Sequence, residues 1–207
     1  MEKFTFKQFS VEQSGAAMKV GTDGVLLGAW VGLSADTKRV LDVGTGTGLL
    51  ALMVAQRASE AQIVAVEIEP QAAEQARTNV TSSPWAERIE VVCTDAKEFS
   101  AEQKFDLIIS NPPYFSGGPA AARTPLARRE DRCTMEQLFE AAAWAVKYGG
   151  DFFLVHRPER LGEIFACASR VSMEPKRLCL LRHKPDSPVS LVLVQCRKGA
   201  KPGLIWE

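Results

Sequence analysis

The sequence has few of the residues that build metal centres and disulfide frameworks. Among 207 residues there are 5 cysteines and 2 histidines, and no two cysteines are spaced as Cys-x-x-Cys. An odd number of scattered cysteines is typical of reduced, packed thiols rather than of disulfides or zinc ligands. Neither His156 nor His183 belongs to a cluster of possible ligands. We therefore expect no metal site.

Long apolar runs and an excess of one charge are also missing. No segment resembles a secretory signal or is apolar enough to cross a bilayer, so we expect a cytoplasmic protein without membrane contact. The 25 basic residues balance 25 acidic ones, and net charge therefore indicates no particular partner. With 46% hydrophobic residues the chain can bury one sizeable core. Because repeats and long linkers are lacking too, we expect residues 1–207 to form a single domain.

What the chain does contain is an alternation of strand-like and helical segments between Val40 and Arg170. Such alternation is typical of the α/β class, in which helices cover both faces of a parallel sheet. Two later apolar stretches, residues 178–181 and 189–196, are separated by Pro185 and Pro188. They predict a hairpin that closes the sheet.

One strand-like segment, residues 40–43, runs directly into the turn Gly44-Thr45-Gly46-Thr47-Gly48, and an apolar helical segment follows. The glycines let the backbone pass close to a ligand, and the helix start presents free N–H groups. Dinucleotide-binding dehydrogenases use a related loop. The Gly-x-Gly-x-Gly spacing and Asp42 favour S-adenosylmethionine, because a carboxylate disfavours a pyrophosphate but can organise a cationic amino-acid end.

Acidic residues follow the next two strand-like segments. Glu67, 21 positions beyond Gly46, can accept hydrogen bonds from both ribose hydroxyls of a nucleoside cofactor, and Glu69 competes for that role. Asp95 can accept a hydrogen bond from the amine of the cofactor's adenine. Either Glu67 or Asp95 can instead cap the following helix, because carboxylates are favoured at helix starts.

The tetrapeptide Asn111-Pro112-Pro113-Tyr114 follows the apolar run 107–109. The Asn111 side-chain oxygen can accept a hydrogen from an exocyclic amine, and the prolines stiffen the backbone so that a carbonyl can point at the same amine. Tyr114 offers a face on which an extruded base can stack, a contact of roughly 1–3 kcal/mol. These features predict methyl transfer to nitrogen. The alternative is a rigid turn after a strand, which Asn-Pro and Pro-Pro commonly make.

Together the three motifs resemble class I S-adenosylmethionine-dependent methyltransferases that act on amino nitrogens. Three further stretches resemble the bacterial tRNA1(Val) N6-methyladenosine methyltransferase family: residues 4–9, residues 18–30 and His156-Arg157-Pro158-Glu159-Arg160-Leu161. The resemblance covers nearly the whole chain. It implies a Rossmann-like, seven-stranded, mostly parallel sheet with an antiparallel C-terminal strand. It also implies S-adenosylmethionine as the cofactor and a tRNA adenosine beside the anticodon as the substrate. We expect the protein to be a monomer.

In that family the segment equivalent to residues 19–23 closes over the methionine part of the cofactor. The resemblance thus implies a cofactor-closing segment over residues 1–36 and a Rossmann-like core over residues 37–207. It makes Thr22 and Asp23 cofactor contacts, and Lys19 a contact of cofactor or RNA phosphate. Alternatively, Thr22 or Asp23 caps the helix predicted from residue 25, and such a cap can coexist with a ligand contact. The predicted cofactor-binding residues are Lys19, Thr22, Asp23, Asp42, Gly44, Thr45, Gly46, Gly48, Glu67, Asp95 and Asn111, and the predicted catalytic residues are Asn111, Pro112, Pro113 and Tyr114.

Basic residues are concentrated in two places. Residues 176–201 contain 7 basic side chains and 1 acidic one, and a face carrying them can track phosphates. Several arginines also follow the tetrapeptide, near the expected path of a flipped nucleotide's backbone. Any one of these side chains can instead be solvated surface charge, with Glu130 and Asp131 neutralising neighbours. The predicted RNA-binding residues are Arg123, Arg128, Arg129, Arg132, Lys176, Arg177 and Lys184.

Other proteins can share the tetrapeptide. Release-factor glutamine methyltransferases typically have an additional N-terminal helical domain, and DNA adenine methyltransferases generally have a target-recognition domain. The sequence offers room for neither. A catalytically silent RNA-binding protein of the same fold is the remaining alternative, and the intact tetrapeptide and acids argue against it.

Overall fold

The computed structural model describes residues 3–14, 19–113 and 133–207. Short 3₁₀ turns at Ala86–Arg88 and Pro158–Arg160 supplement the helices and strands. In chain order the longer elements are β1 (Lys3–Thr5), β2 (Ser10–Glu12), α1 (Thr22–Trp30), β3 (Arg39–Val43), α2 (Leu49–Arg57), β4 (Gln62–Glu67), α3 (Pro70–Thr81), β5 (Ile89–Cys93), β6 (Phe105–Ser110), α4 (Met135–Ala145), β7 (Val146–His156), α5 (Leu161–Arg170), β8 (Met173–Arg182), β9 (Val189–Lys198) and β10 (Ile205–Trp206).

The main sheet has the strand order β10-β8-β9-β7-β6-β3-β4-β5. From β5 to β7 neighbouring strands are parallel, whereas β9 is antiparallel to both β7 and β8. The prediction of a mostly parallel sheet closed by a hairpin is confirmed. Over the described residues the main sheet has eight strands, one more than the predicted seven, because β10 pairs in parallel with β8 at the edge. This two-residue strand is too short to produce a recognisable pattern.

Side chains along the central strands alternate between two apolar layers. In β6, Leu107 and Ile109 belong to the layer that contains residues of α1 and α2, whereas Ile108 belongs to the layer of α4 and α5. Strands covered on both faces need nearly continuous apolar sequence, as β6 has. Each fully buried large apolar side chain contributes about 1.5–3 kcal/mol to stability. The two layers therefore hold the parallel strands in place, and with them the loops at the strand ends.

Two arginines connect the first helices to their surroundings through backbone carbonyls. Arg57 of α2 donates to the carbonyls of Gly28 and Val31 at the end of α1, at 2.6 and 2.9 Å. Arg88 donates to carbonyls of residues 55, 58 and 61 around the end of α2. Carbonyls at the end of a helix lack partners within that helix, and these guanidinium groups satisfy them. Arg57 thereby connects α1 to α2, and Arg88 connects the end of α2 to the turn before β5.

Candidate active site

A cavity of about 400 Å³ lies at the carboxyl ends of β3, β4, β5, β6 and β7. Chain order reverses at β3, which lies between β4 and β6. In open α/β sheets, ligands bind outside the carboxyl ends of the strands at such a point. The volume is within the usual range for small-molecule sites. The cavity is therefore the candidate active site.

The glycine loop between β3 and α2 forms one wall of this cavity. Gly44, Gly46 and Gly48 have φ angles of 71°, 59° and 83°, which only glycine adopts readily. The amides of Gly44 and Thr45 donate to the carbonyl of Val66 at 2.9 and 3.0 Å, which attaches the loop to β4. A Cβ atom added at Gly44 or Gly46 would meet nothing within 4 Å. The backbone at these glycines is thus open to a ligand, as a nucleoside cofactor requires.

Asp42 supports the loop from behind and is not part of the cavity wall. Its Oδ2 accepts hydrogen bonds from Thr45 Oγ1 at 2.6 Å and from the Ala51 amide at 3.1 Å. Oδ1 is buried without a hydrogen-bond partner among the described residues. Burial raises the pKa of Asp42 to about 7, and the nearby Glu67 carboxylate adds to the effect. A direct cofactor contact of Asp42 stays a prediction.

Glu67, at the end of β4, lines the cavity and is only 5% exposed. Its Oε2 accepts from the Gly46 amide at 2.9 Å, and its Oε1 accepts from the Glu69 amide at 3.0 Å. A carboxylate offers about four acceptor sites, so two remain for ribose hydroxyls. Glu69, the other candidate for the ribose contact, is the N-cap residue of α3, which begins at Pro70.

Asp95 follows β5 and also lines the cavity. Its Oδ1 accepts from the Lys97 amide at 2.9 Å, and its Oδ2 forms an ion pair with Lys97 Nζ at 3.3 Å. The carboxylate therefore organises its own turn, and the alternative of capping a helix is wrong because no helix lies between β5 and β6 in the described residues. Asp95 organises this turn from a position on the cavity wall, so this contact and a contact to the cofactor's adenine are compatible.

Asn111, Pro112 and Pro113 follow β6 and line the same cavity. The Ser110 hydroxyl donates to the Val43 carbonyl at 2.8 Å, which fastens the end of β6 to the end of β3. A Cβ atom at Gly24 of α1 would lie 3.4 Å from Asn111 Nδ2, so α1 packs closely beside the Asn111 side chain. Tyr114 lies outside the described residues, as do the predicted RNA-binding residues Arg123, Arg128, Arg129 and Arg132.

The predicted closing segment reaches the cavity in part. Lys19, Val20 and Gly21 line it. Thr22 is exposed. Asp23 is absent from the wall, and its Oδ1 accepts from the Gly24 amide at 2.9 Å within the first turn of α1. The N-cap of α1 is Gly21, without a capping side chain. Cofactor contacts of Thr22 and Asp23 stay predictions.

Asn79 of α3 was not identified from the sequence, yet it joins the N-terminal strands to the glycine loop. Its side chain is buried, accepts from the Glu12 amide at 2.8 Å, and donates to the carbonyls of Glu12 at 3.0 Å and Thr47 at 2.8 Å. Gln13 Oε1 then accepts from the Val20 amide at 2.7 Å. The available signal was an asparagine on the apolar face of an amphipathic helix, where a buried amide needs partners.

The far side of the cavity consists of α4, the end of β7 and the start of α5, and most of its residues were also missed. His156 accepts a hydrogen bond from the Arg157 amide at its Nδ1, at 2.8 Å. Burial, together with the Arg160 charge, lowers the pKa of His156 to about 4. Arg160 pairs with Glu163 through two hydrogen bonds. The wall residues of this side are Cys133, Thr134, Met135, Leu138, His156, Arg160 and Glu163.

Two of the predicted RNA-binding residues have internal partners. Arg177 forms an ion pair with Glu207 at 3.0 Å and its guanidinium lies 4.4 Å from the centroid of the Trp30 ring. Lys176 Nζ donates to the Lys201 carbonyl at 3.0 Å. Lys184 is exposed on the turn between β8 and β9. Their contacts with RNA stay predictions.

The described residues contain neither a candidate metal cluster nor a candidate membrane span. Within residues 3–14, 19–113 and 133–207, no group of 3 or more His, Cys, Asp or Glu side chains could hold a metal ion. None of the helices in these ranges combines the length and the apolar character that crossing a membrane requires.

The fold and the cavity at its strand ends define a class I methyltransferase. Residues 25–163 match the methyltransferase small domain family. A tRNA1(Val) (adenine(37)-N6)-methyltransferase of Bacteroides fragilis is 43% identical over 197 residues, which cover 92% of this chain and 82% of the relative. One from Tolumonas auensis is 45% identical over 195 residues, covering 92% and 81%. The chain belongs to the family of tRNA1(Val) (adenine(37)-N6)-methyltransferases.

Solved structures support the fold alone. A protein described as a predicted O-methyltransferase from Agrobacterium tumefaciens is 24% identical, with a TM-score of 0.73 over 89% of this chain and 85% of that one. A precorrin-6y C5,15-methyltransferase from Geobacter metallireducens is 14% identical, with a TM-score of 0.63 over 92% and 95%. At this low identity the two structures indicate the fold and not the substrate.

Replacing Asn79 with Ala should release the N-terminal strands and the closing segment. The lost hydrogen bonds leave the Glu12 and Thr47 backbone groups without partners, so the Glu12 and Val20 amides should exchange hydrogen about 10- to 100-fold faster. Hydrogen exchange followed by mass spectrometry measures this. Thr78→Ala, on the exposed side of the same helix, is the control and should change little. Equal exchange in both variants would contradict the coupling.

The raised pKa of Asp42 should make stability depend on pH. The unfolded carboxyl loses its proton near its ordinary pKa of 3.8 and the folded one near about 7, so the folded state binds more protons between these values. The contribution of Asp42 to the free energy of unfolding therefore falls as the pH rises through this window, by up to about 1.4 kcal/mol per pH unit. It then stays constant at higher pH.

Urea unfolding of the wild type and of Asp42→Asn across that pH range tests this. His156, whose lowered pKa acts in the opposite direction, is present in both proteins, so the difference between them isolates Asp42. The stability of the wild type relative to the variant should decline with rising pH. Parallel pH profiles would show that Asp42 titrates normally.

Proposed function

We propose that this chain transfers a methyl group from S-adenosylmethionine to N6 of adenosine 37 in tRNA1(Val), the activity in the names of its relatives. The observation that carries the proposal is a shared cavity. Asn111, Pro112 and Pro113 line the same space as the glycine loop and Glu67. The residues proposed to bind the amine and the residues proposed to hold the nucleoside cofactor therefore line one cavity.

The residues of the wall suit the parts of this cofactor. The open backbone at Gly44 and Gly46 admits its amino-acid and ribose portions, and Glu67 accepts from the ribose hydroxyls. Asp95 accepts a hydrogen bond from the adenine amine. Lys19, in the closing segment, lines the cavity and is proposed to contact the cofactor. S-adenosylmethionine supplies a methyl group on a positively charged sulfur, which is already a reactive donor.

The protein's task at the other end of the cavity is to orient the nucleophile. The Asn111 side-chain oxygen and the Pro112 carbonyl accept the two hydrogens of the adenine amine. This pulls the nitrogen toward pyramidal geometry and frees its lone pair for in-line attack. The extra proton leaves to water after the transfer, so a strong base is not needed beforehand. Proximity and orientation then do most of the catalytic work.

The target adenosine must leave its stack to reach the cavity. Met135 and Leu138 line the cavity together with Asn111, Pro112 and Pro113, and the base is proposed to lie against these side chains. Tyr114 is proposed to stack on the base, and the basic residues around Lys184 are proposed to contact phosphates. We also propose that residues 1–207 act as one cytoplasmic domain, in which residues 1–36 close over the cofactor.

Asn111→Ala tests the proposal, with Asn111→Asp as the matched variant that keeps an oxygen acceptor. Removing one preorganised polar contact to a reacting group typically lowers kcat about 10²- to 10³-fold. We expect such a loss in Asn111→Ala, an intermediate rate in Asn111→Asp, and a Kd for S-adenosylhomocysteine within about threefold of the wild type in both. Transfer of labelled methyl groups to tRNA and calorimetric titration measure the two quantities.

The substrate is tested by giving the wild-type protein labelled S-adenosylmethionine with total tRNA, DNA or release factor in separate reactions. Label should appear only in tRNA, as N6-methyladenosine. Label in release factor would favour the glutamine methyltransferase alternative. A wild-type rate in Asn111→Ala would remove the tetrapeptide from the mechanism.

A further inference from the structure

A second groove, of about 370 Å³, lies between the end of α3 and the N-terminal hairpin, which consists of β1, β2 and the turn between them. Eight of its ten lining residues are polar or charged, and the charged ones are Lys3, Lys7 and Glu12. Thr5 and Gln8 add a hydroxyl group and an amide, and like the two lysines they are exposed. The groove therefore combines polar side chains with a net positive charge.

The N-terminal hairpin is fixed to the core by its apolar side. The Phe6 amide donates to the Phe9 carbonyl at 2.9 Å, and the two rings stack with their centroids 4.5 Å apart. Phe9 and Val11 are buried in the same apolar layer as residues of α1 and α2. Because this packing holds the backbone of the hairpin, its two lysines are positioned at the groove before a partner binds.

The groove is connected to the active-site cavity by hydrogen bonds. Asn79 lines the groove and donates to the carbonyl of Thr47 in the glycine loop at 2.8 Å. Gln13, directly after β2, accepts from the amide of Val20, which lines the cavity. On α3, Ala72 also lines the cavity, and Asn79 follows seven residues later, about 10 Å along the helix axis. One RNA strand can therefore reach both the groove and the cavity.

The chemistry of the groove suits a nucleic-acid backbone. Lysine ammonium groups, hydroxyl groups and side-chain amides are the groups that proteins use to contact phosphate oxygens. A target base that enters the cavity leaves its stack, so the sugar–phosphate chain on either side of it must follow the protein surface. The groove lies within reach of that chain and presents these groups on a fixed hairpin.

We propose, on the basis of the function proposed above, that this groove binds the phosphate backbone of the substrate RNA beside the target adenosine. Lys3 and Lys7 pair with phosphate oxygens, and Thr5 and Gln8 donate hydrogen bonds to the same backbone. Glu12 lies directly opposite Lys3 in the strand register and offsets part of its charge, so Lys7 contributes more. RNA held in the groove also steadies the glycine loop and the closing segment, through the bonds that connect them to the hairpin.

Equilibrium binding of tRNA at several salt concentrations, with S-adenosylhomocysteine present, tests this proposal. A lysine that pairs with a phosphate displaces counterions from the RNA, so its removal makes affinity less dependent on salt. In Lys7→Ala the slope of log K against log salt concentration should be smaller in magnitude by about 0.7–0.9, and the Kd at moderate salt about three- to tenfold higher. Lys3→Ala should show a smaller change of the same kind, and Lys7→Arg should restore the wild-type slope.

Lys38→Ala is the charge-matched control, because Lys38 is an exposed lysine that precedes β3 at the opposite edge of the sheet. It should keep the wild-type slope. The Kd for S-adenosylhomocysteine should stay within about threefold of the wild type in every variant, and the loss in methylation by Lys7→Ala should appear in the KM for tRNA rather than in kcat.

The wild-type slope in the double variant Lys3→Ala/Lys7→Ala would overturn the proposal, as would an equal loss of slope in Lys38→Ala. Methylation of tRNA by the wild-type protein separates the two levels of the account. A wild type that methylates tRNA, together with a double variant of unchanged slope, overturns the groove alone. A wild type that does not methylate tRNA overturns the proposed function.

Discussion

The rest of the site depends on the hydrogen bonds by which two buried carboxylates hold the glycine loop in place. Asp42 binds the loop from behind through Thr45 and the start of α2, and Glu67 binds it from the cavity side through the Gly46 amide. Burying a carboxylate is unfavourable unless hydrogen bonds compensate, and the raised pKa of Asp42 reflects that cost. The loop keeps a conformation that few residues tolerate, and its open backbone is what a nucleoside cofactor needs.

Parallel strand pairing brings the other parts of the site to the same loop. Adjacent parallel strands end at one edge of the sheet, and the Ser110 to Val43 hydrogen bond holds the ends of β6 and β3 together. The tetrapeptide therefore begins next to the glycine loop although 67 residues separate Ser110 from Val43. Asn79 couples the N-terminal strands to the same loop, which gives the closing segment a defined anchor.

The parts of the site that could be predicted are those whose chemistry is local in sequence. The glycine loop, Glu67, Asp95 and Asn111 each follow an apolar strand, and parallel topology alone implies that they meet. Asp42 was recognised, but its place behind the loop depends on where α2 begins. Asn79, Arg160 and Glu163 could not be assigned from sequence, because their neighbours at the cavity come from distant elements.

A crystal structure with bound S-adenosylhomocysteine tests most directly whether cofactor and target amine share one cavity. We expect the ribose on Glu67, the adenine beside Asp95, and the sulfur facing the Asn111 side chain across a gap large enough for a methyl group. A ligand bound elsewhere, or an Asn111 side chain turned away from the sulfur, would contradict the account.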